Sequence, residues 1–220
     1  MTAGSTLNLF ADGPAEKSQE LICPGAMVLR AFALADAAAL LATVDAVTGA
    51  APFRHLITPG GLRMSVAMTN CGEVGWVSDR RGYRYDALDP DSGQRWPAMS
   101  AIFLQLAQRA AAAAGFDAFN PNACLINRYA PGTRLSLHQD RDERDLRQPI
   151  VSVSLGLPAV FQFGGVQRAD KPQRVPLQHG DVVVWGGPAR LNFHGVLPLK
   201  DGHHDLLGAQ RINLTFRKAV

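Results

Sequence analysis

At 220 residues, 47% of them hydrophobic, the chain is long enough for one domain with a sizeable core, with room for an appended subdomain. Its formal charge of +3 permits nucleic-acid binding without arguing for it, and no apolar run reaches the roughly 18 residues of a membrane-spanning helix. Cys23, Cys71 and Cys124 are odd in number, far apart and lack a CxxC pair, which argues against a disulfide scaffold or structural zinc and for a reducing cytoplasm.

Residues 1–25 are polar and without periodicity, so an extended or flexible arm is expected, and Met1 to Glu20 lacks the basic-then-apolar order of a secretory leader. Ala31 to Val47 is rich in alanine and leucine, and the spacing of Leu34, Ala37, Leu41 and Val44 predicts a helix. Thr58 to Asp91 is rich in Gly, Pro, Asp and Ser around short apolar runs such as Met64 to Met68, which predicts irregular hairpins and loops rather than core. Within it, Trp76 to Tyr85 interleaves Arg80, Arg81 and Arg84 with three aromatics. Cations for phosphate and flat rings for bases are what a single-stranded nucleic-acid groove requires; the plainer alternative is a surface loop with its aromatics tucked beneath. A second helix is predicted from Pro97 to Gly115, with Ile102, Leu106 and Arg109 on its stripe.

After Asn122 the chain changes character. Ala123–Tyr129, Arg134–His138, Ile150–Leu155, Val160–Phe163, Val182–Trp185 and Arg211–Arg217 read as short strands punctuated by Gly and Pro turns. The fold expected is mostly β with flanking helices, a sandwich or barrel such as a jelly roll over 122–220, preceded by a helical and irregular segment over 26–121.

Candidate chemistry lies in this second half. His138 and Asp140 end a predicted strand two residues apart, so both side chains can reach one ion. A histidine, a carboxylate and one distant histidine make the facial triad of non-haem Fe(II), which leaves coordination positions open. His194, between turn residues and a new strand, is the best third ligand; His55, His179, His203 and His204 are the alternatives. In the last strand Ile212, Leu214 and Phe216 alternate with Arg211, Asn213, Thr215 and Arg217. The polar row either faces water or lines the interior of the barrel, where buried arginines demand carboxylate partners. A keto-dicarboxylate would supply them, with Asn127 and Tyr129 as neutral donors from a neighbouring strand.

The runs Asn127-Arg128-Tyr129, Leu137 to Asp140, Arg190 to Gly195 and Arg211 to Arg217, with Thr58 to Gly61 and Met64 to Gly72, resemble the AlkB family of DNA-alkylation repair dioxygenases over nearly the whole chain. The resemblance implies a double-stranded β-helix (jelly roll) over 122–220 with a nucleotide-recognition lid within 26–121. It implies Fe(II) held by His138, Asp140 and His194, and 2-oxoglutarate held by Arg211 with Asn127 and Tyr129, while Arg217 and Asn213 assist near the metal. With O2 these would oxidise the N-methyl group of 1-methyladenine or 3-methylcytosine, releasing formaldehyde and succinate. On the substrate side it implies Trp76 stacking on an extruded base, Tyr83 and Arg168 on the polynucleotide, and Asp142 favouring a cationic lesion. The plain reading of Asp142 is one member of the Arg141 to Arg147 charge cluster, and Trp185 and Met68 suit either pocket or core. The substrate expected is alkylated single-stranded DNA, with double-stranded DNA, RNA or etheno adducts as variants of the same chemistry and a non-catalytic nucleic-acid-binding barrel as the contrasting class. No membrane partner and no obligate oligomer are expected, so the protein is read as a cytoplasmic monomer.

Overall fold

The computed structural model describes residues 18–220. Two antiparallel sheets face one another. The major sheet has seven strands and contains β1 (Gln19–Cys23), β2 (Ala26–Leu29), β3 (Ala67–Gly72), β6 (Ala123–Tyr129), β8 (Ile150–Gly156), β11 (Val182–Trp185) and β13 (Arg211–Arg217). Its order is β1-β2-β11-β8-β13-β6-β3. The minor sheet is formed by β7 (Leu135–His138), β9 (Ala159–Phe163), β10 (Gln173–Leu177) and β12 (His194–Val196), in the order β10-β9-β12-β7. A separate hairpin, β4 (Gly75–Asp79) with β5 (Gly82–Asp86), stands over the opening between them.

Two expectations about the sheet need correction. Of the arm over 1–25, residues 1–17 lie outside the described residues, and Gln19–Cys23 is not an arm but the edge strand of the major sheet, paired with β2. The stretch read as irregular from Thr58 to Asp91 contains β3, whose pairing with β6 buries Ala67 to Cys71. The sheet therefore draws strands from both sides of residue 122, because antiparallel pairing needs no continuity in sequence.

Both helices are shorter than their composition suggests. Helix α1 (Ala37–Ala50) follows a 3-10 turn at Leu34–Asp36 and buries Ala37, Leu40, Val44 and Val47, while Leu34 is exposed and Leu41 only half-buried. Ala31, expected inside the helix, has a positive φ of 52° and donates its amide to Asp181 Oδ1 at 2.9 Å. Helix α2 (Ala101–Ala113) starts after an extended Ser100 rather than at Pro97, whose carbonyl accepts the Gly72 amide. It buries Phe103, Leu106, Ala107, Ala110 and Ala111, and its Arg109 instead pairs with Asp36 at the start of α1.

The major sheet is buried on both faces. Towards the helices, Ile212, Leu214 and Phe216 join Ile126, Val151, Val153 and Phe103 in one apolar cluster. Each such side chain contributes about 1.5–3 kcal/mol on burial. Towards the minor sheet, Phe161, Phe163, Val183, Trp185 and Tyr129 form a second cluster. Its open end is the pocket into which the polar row of β13 points.

Candidate active site

His138 ends β7 and His194 begins β12, and the two are direct cross-strand partners. Their rings lie 4.4 Å apart. The strands approach so closely that a Cβ on Gly195 would stand 2.7 Å from the Leu135 carbonyl oxygen, so the residue after His194 has to be glycine. Asp140, two residues past His138, brings Oδ1 to 3.6 Å from His138 Nε2 and Oδ2 to 3.7 Å from His194 Nε2. One donor atom from each of the three residues falls within 4.8 Å of the others.

The backbone fixes which ring nitrogens are free. His138 Nδ1 lies 2.9 Å from the Ser136 carbonyl and His194 Nδ1 lies 3.0 Å from that of Asn192. A carbonyl only accepts, so Nδ1 carries a proton in both rings, and Nε2 is the atom that each ring turns towards Asp140 and can offer to a metal. Burial, reinforced by His194, pushes the His138 imidazole down to about 4, although 34% of its side chain still meets the pocket space. Burial opposes ionisation of Asp140, but the Arg217 guanidinium outweighs it and holds its carboxyl well below the usual range. Two imidazoles and one carboxylate with clustered donor atoms fit a divalent transition metal.

Behind them lies a polar floor on the major sheet. Arg217 donates Nε and Nη2 to Asp140 Oδ2 at 3.0 and 2.7 Å. Asn213 donates to Ser152 Oγ at 2.8 Å and accepts from Thr215 at 3.0 Å and from Asn127 at 3.4 Å. Arg211 is 1% exposed and donates Nη2 to Ser154 Oγ at 2.9 Å. Its Nε and Nη1 have no partner, and neither has the Oδ1 of Asn127, which stands opposite Asn213 on β6. The guanidinium lies 5.0 Å from the centre of the Tyr129 ring. A buried cation with two free N–H groups and no carboxylate is costly unless a ligand completes it, so this corner fits an acidic co-substrate.

The rim is built differently. Trp76, on β4, is clamped by Asn70, which accepts its amide and donates to its carbonyl, both at 3.0 Å. Its indole Nε1 donates to Asp142 Oδ2 at 2.9 Å, and its ring stacks on Tyr83 with centroids 5.5 Å apart. Arg168 sits 5.0 Å over the Phe193 ring. All twelve site residues expected from the sequence line one pocket of about 820 Å³, as do Met68 and Trp185. His55, His179, His203 and His204, the other candidate third ligands, do not. His179 instead accepts the Gly156 amide at 2.9 Å, with its ring 4.4 Å from that of His204.

Several partners are invisible to motif reading. Ser152, Ser154 and Asn70 are ordinary strand residues whose roles come from register, with Asn213 opposite Ser154 and Thr215 opposite Ser152. Glu143, Arg190 and Tyr85 meet behind the pocket from positions up to 105 residues apart (Tyr85 to Arg190); each lies in or at the end of a run noted in the sequence, but nothing in those runs foretells that the three converge.

Residues 25–217 match the model of the 2OG-Fe(II) oxygenase superfamily. The chain is 58% identical over 213 residues to the alpha-ketoglutarate-dependent dioxygenase AlkB of Escherichia coli strain K12, covering 97% of this chain and 98% of that protein. It is 33% identical over 130 residues to the human nucleic acid dioxygenase ALKBH1, covering 58% of this chain and 33% of that one. Among solved structures it is similar to OsALKBH1, with a TM-score of 0.81 and 28% identity over 91% of this chain and all of the other.

Proposed function

We propose, for a chain that belongs to the AlkB family of the 2OG-Fe(II) oxygenase superfamily, that it repairs alkylated bases in DNA by oxidative demethylation. The protein is an Fe(II)- and 2-oxoglutarate-dependent dioxygenase with a mostly β, jelly-roll fold. In our assignment His138, Asp140 and His194 hold the iron through two Nε2 atoms and a carboxylate oxygen. Arg211 receives the distal carboxylate of 2-oxoglutarate, with Asn127 and Tyr129 beside it. Arg217, with Asn213 in support, orients Asp140 and keeps Nη1 for the co-substrate. The observation that carries this reading is Arg211, whose two partnerless N–H groups share one pocket with the only His/Asp/His cluster among the described residues.

When bound, Fe(II) and 2-oxoglutarate supply the oxidation, in which O2 and the keto acid yield succinate and carbon dioxide while the methyl carbon leaves the base nitrogen as formaldehyde. The protein's own residues bind and orient. Trp76 is a flat platform for an extruded base, fixed by Asn70 and Asp142. The Asp142 carboxylate attracts a cationic base such as 1-methyladenine or 3-methylcytosine and loses that attraction once the neutral base is restored. Arg63, Arg134, Arg141 and Arg168 line the pocket yet make no ion pair among the described residues, which suits a polyanion at the mouth. Single strands are the proposed preference, since their bases leave the stack without the few kcal/mol that a duplex exacts. Among the described residues no helix is long and apolar enough to cross a membrane, and a cytoplasmic monomer is the form proposed.

The test is anaerobic reconstitution with Fe(II), followed by assay of both products on a 1-methyladenine oligonucleotide in air. Equimolar succinate and formaldehyde are expected. Succinate alone would retain the dioxygenase and discard the substrate, and competition by the matching RNA would favour RNA over DNA.

A further inference from the structure

Behind the ligand loop lies a buried carboxylate that the roles assigned above do not use. Glu143 does not line the pocket, and only 2% of its side chain is exposed. Its Oε1 accepts the Tyr85 hydroxyl at 2.6 Å and lies 3.3 Å from Arg217 Nε, while Oε2 accepts Arg190 Nη2 at 2.9 Å. Both arginines also hold Asp140. Arg217 grips its Oδ2, and Arg190 donates Nη1 to its backbone carbonyl at 2.6 Å and Nε to that of Gln148 at 2.9 Å.

Asp140 and Glu143 balance Arg190 and Arg217, and no side chain of the four is more than 10% exposed. Without the Glu143 charge, Arg190 loses its only ion-pair partner among the described residues and both guanidinium groups face Asp140 alone. Arg217 would then draw harder on Asp140 Oδ2, the same oxygen that stands 3.7 Å from His194 Nε2. A carboxylate tied up by a guanidinium is a poorer ligand for a cation. We propose that Glu143 is a positioning residue for the metal site: by sharing Arg217 and anchoring Arg190, it keeps the Asp140 carboxylate oriented and available to the ion. Tyr85, reaching in from β5 of the recognition hairpin, holds Glu143 in that pose. The inference rests on the reading of His138, Asp140 and His194 as ligands.

The experiment is a titration of the full chain with Mn(II), a probe that needs no turnover, followed by the paramagnetic resonance signal of the free ion. Glu143→Gln keeps the size of the side chain and removes its charge; its affinity for Mn(II) should fall about 10- to 100-fold, the usual consequence of losing a partner of a ligand. Tyr85→Phe, which removes one donor of the set, should fold and lose roughly threefold, and Glu143→Asp should fall between the two. A merely structural role would lower the melting temperature and leave Mn(II) affinity within twofold of wild type, and that result in folded Glu143→Gln overturns the proposal. Should Glu143→Gln not fold, the same result in Glu143→Asp and Tyr85→Phe overturns it. Equal Mn(II) binding by wild type and Asp140→Ala would instead overturn the ligand assignment beneath it.

Discussion

The floor of the pocket and its rim handle charge in opposite ways. On the floor, Asp140, Arg217 and Asn213 are nearly or wholly removed from water, and each is held by named hydrogen bonds. At the rim, Arg63, Arg134, Arg141 and Arg168 make no ion pairs among the described residues, and Tyr83 is 48% exposed. The floor tolerates burial because nearly every polar atom is assigned, so the unassigned atoms of Arg211 mark where a ligand is owed a place. The rim leaves its charges to water, as the proposed approach of a polyanion requires. The proposed function thus sets chemistry on paired strands and recognition on a hairpin and loops, a division that also separates what each substitution should change.

The largest effect belongs to the floor. Asp140→Ala should abolish succinate formation, by at least roughly 10³-fold, with the circular dichroism spectrum of a folded protein retained; comparable turnover would remove Asp140 from the metal site. Arg211→Met follows. Losing charge-assisted bonds worth about 3 kcal/mol should raise the KM for 2-oxoglutarate about 100-fold, as measured by succinate release. The same variant should melt no lower than wild type in the absence of co-substrate, since it removes an unpaired buried cation.

At the rim the effects are smaller and fall on the nucleic acid. Trp76→Ala should weaken binding of a methylated oligonucleotide by about 1–3 kcal/mol in fluorescence anisotropy while leaving the KM for 2-oxoglutarate unchanged. A rise in that KM would break the division between floor and rim. Smallest is Arg168→Gln, which should cost a few-fold in affinity and lower the slope of log K against log salt by about 0.7. An unchanged slope would place Arg168 in the packing of Phe193 alone.

Much of the floor was legible in the sequence because strand periodicity is local. The alternation from Arg211 to Arg217 identified a polar row, and the spacing of His138 and Asp140 put two donors on one side of an extended backbone, although the strand itself ends at His138. That the polar row faces inward was open, since seven consecutive buried residues require covering layers on both faces of β13, and no local pattern reveals the second layer. The same holds for β1 and β3, which join the major sheet by long-range pairing. Helix starts were misplaced where tertiary contacts overrode composition: Ala31 turns away to meet Asp181, and Ser100 stays extended after Pro97 has given its carbonyl to Gly72. The meeting of Glu143, Arg190 and Tyr85 escaped for the same reason, being made by the fold rather than by spacing.

The central claim is that one pocket binds iron through His138, Asp140 and His194 and binds 2-oxoglutarate through that iron and Arg211 together. Anaerobic equilibrium dialysis of Fe(II) and labelled 2-oxoglutarate against wild type, Asp140→Ala and Arg211→Met tests it most directly. The account predicts one Fe(II) and one 2-oxoglutarate per wild-type chain, iron without 2-oxoglutarate in Arg211→Met at co-substrate concentrations that saturate wild type, and neither in Asp140→Ala. Retention of 2-oxoglutarate at the wild-type level by folded Arg211→Met, or of iron by folded Asp140→Ala, would contradict it.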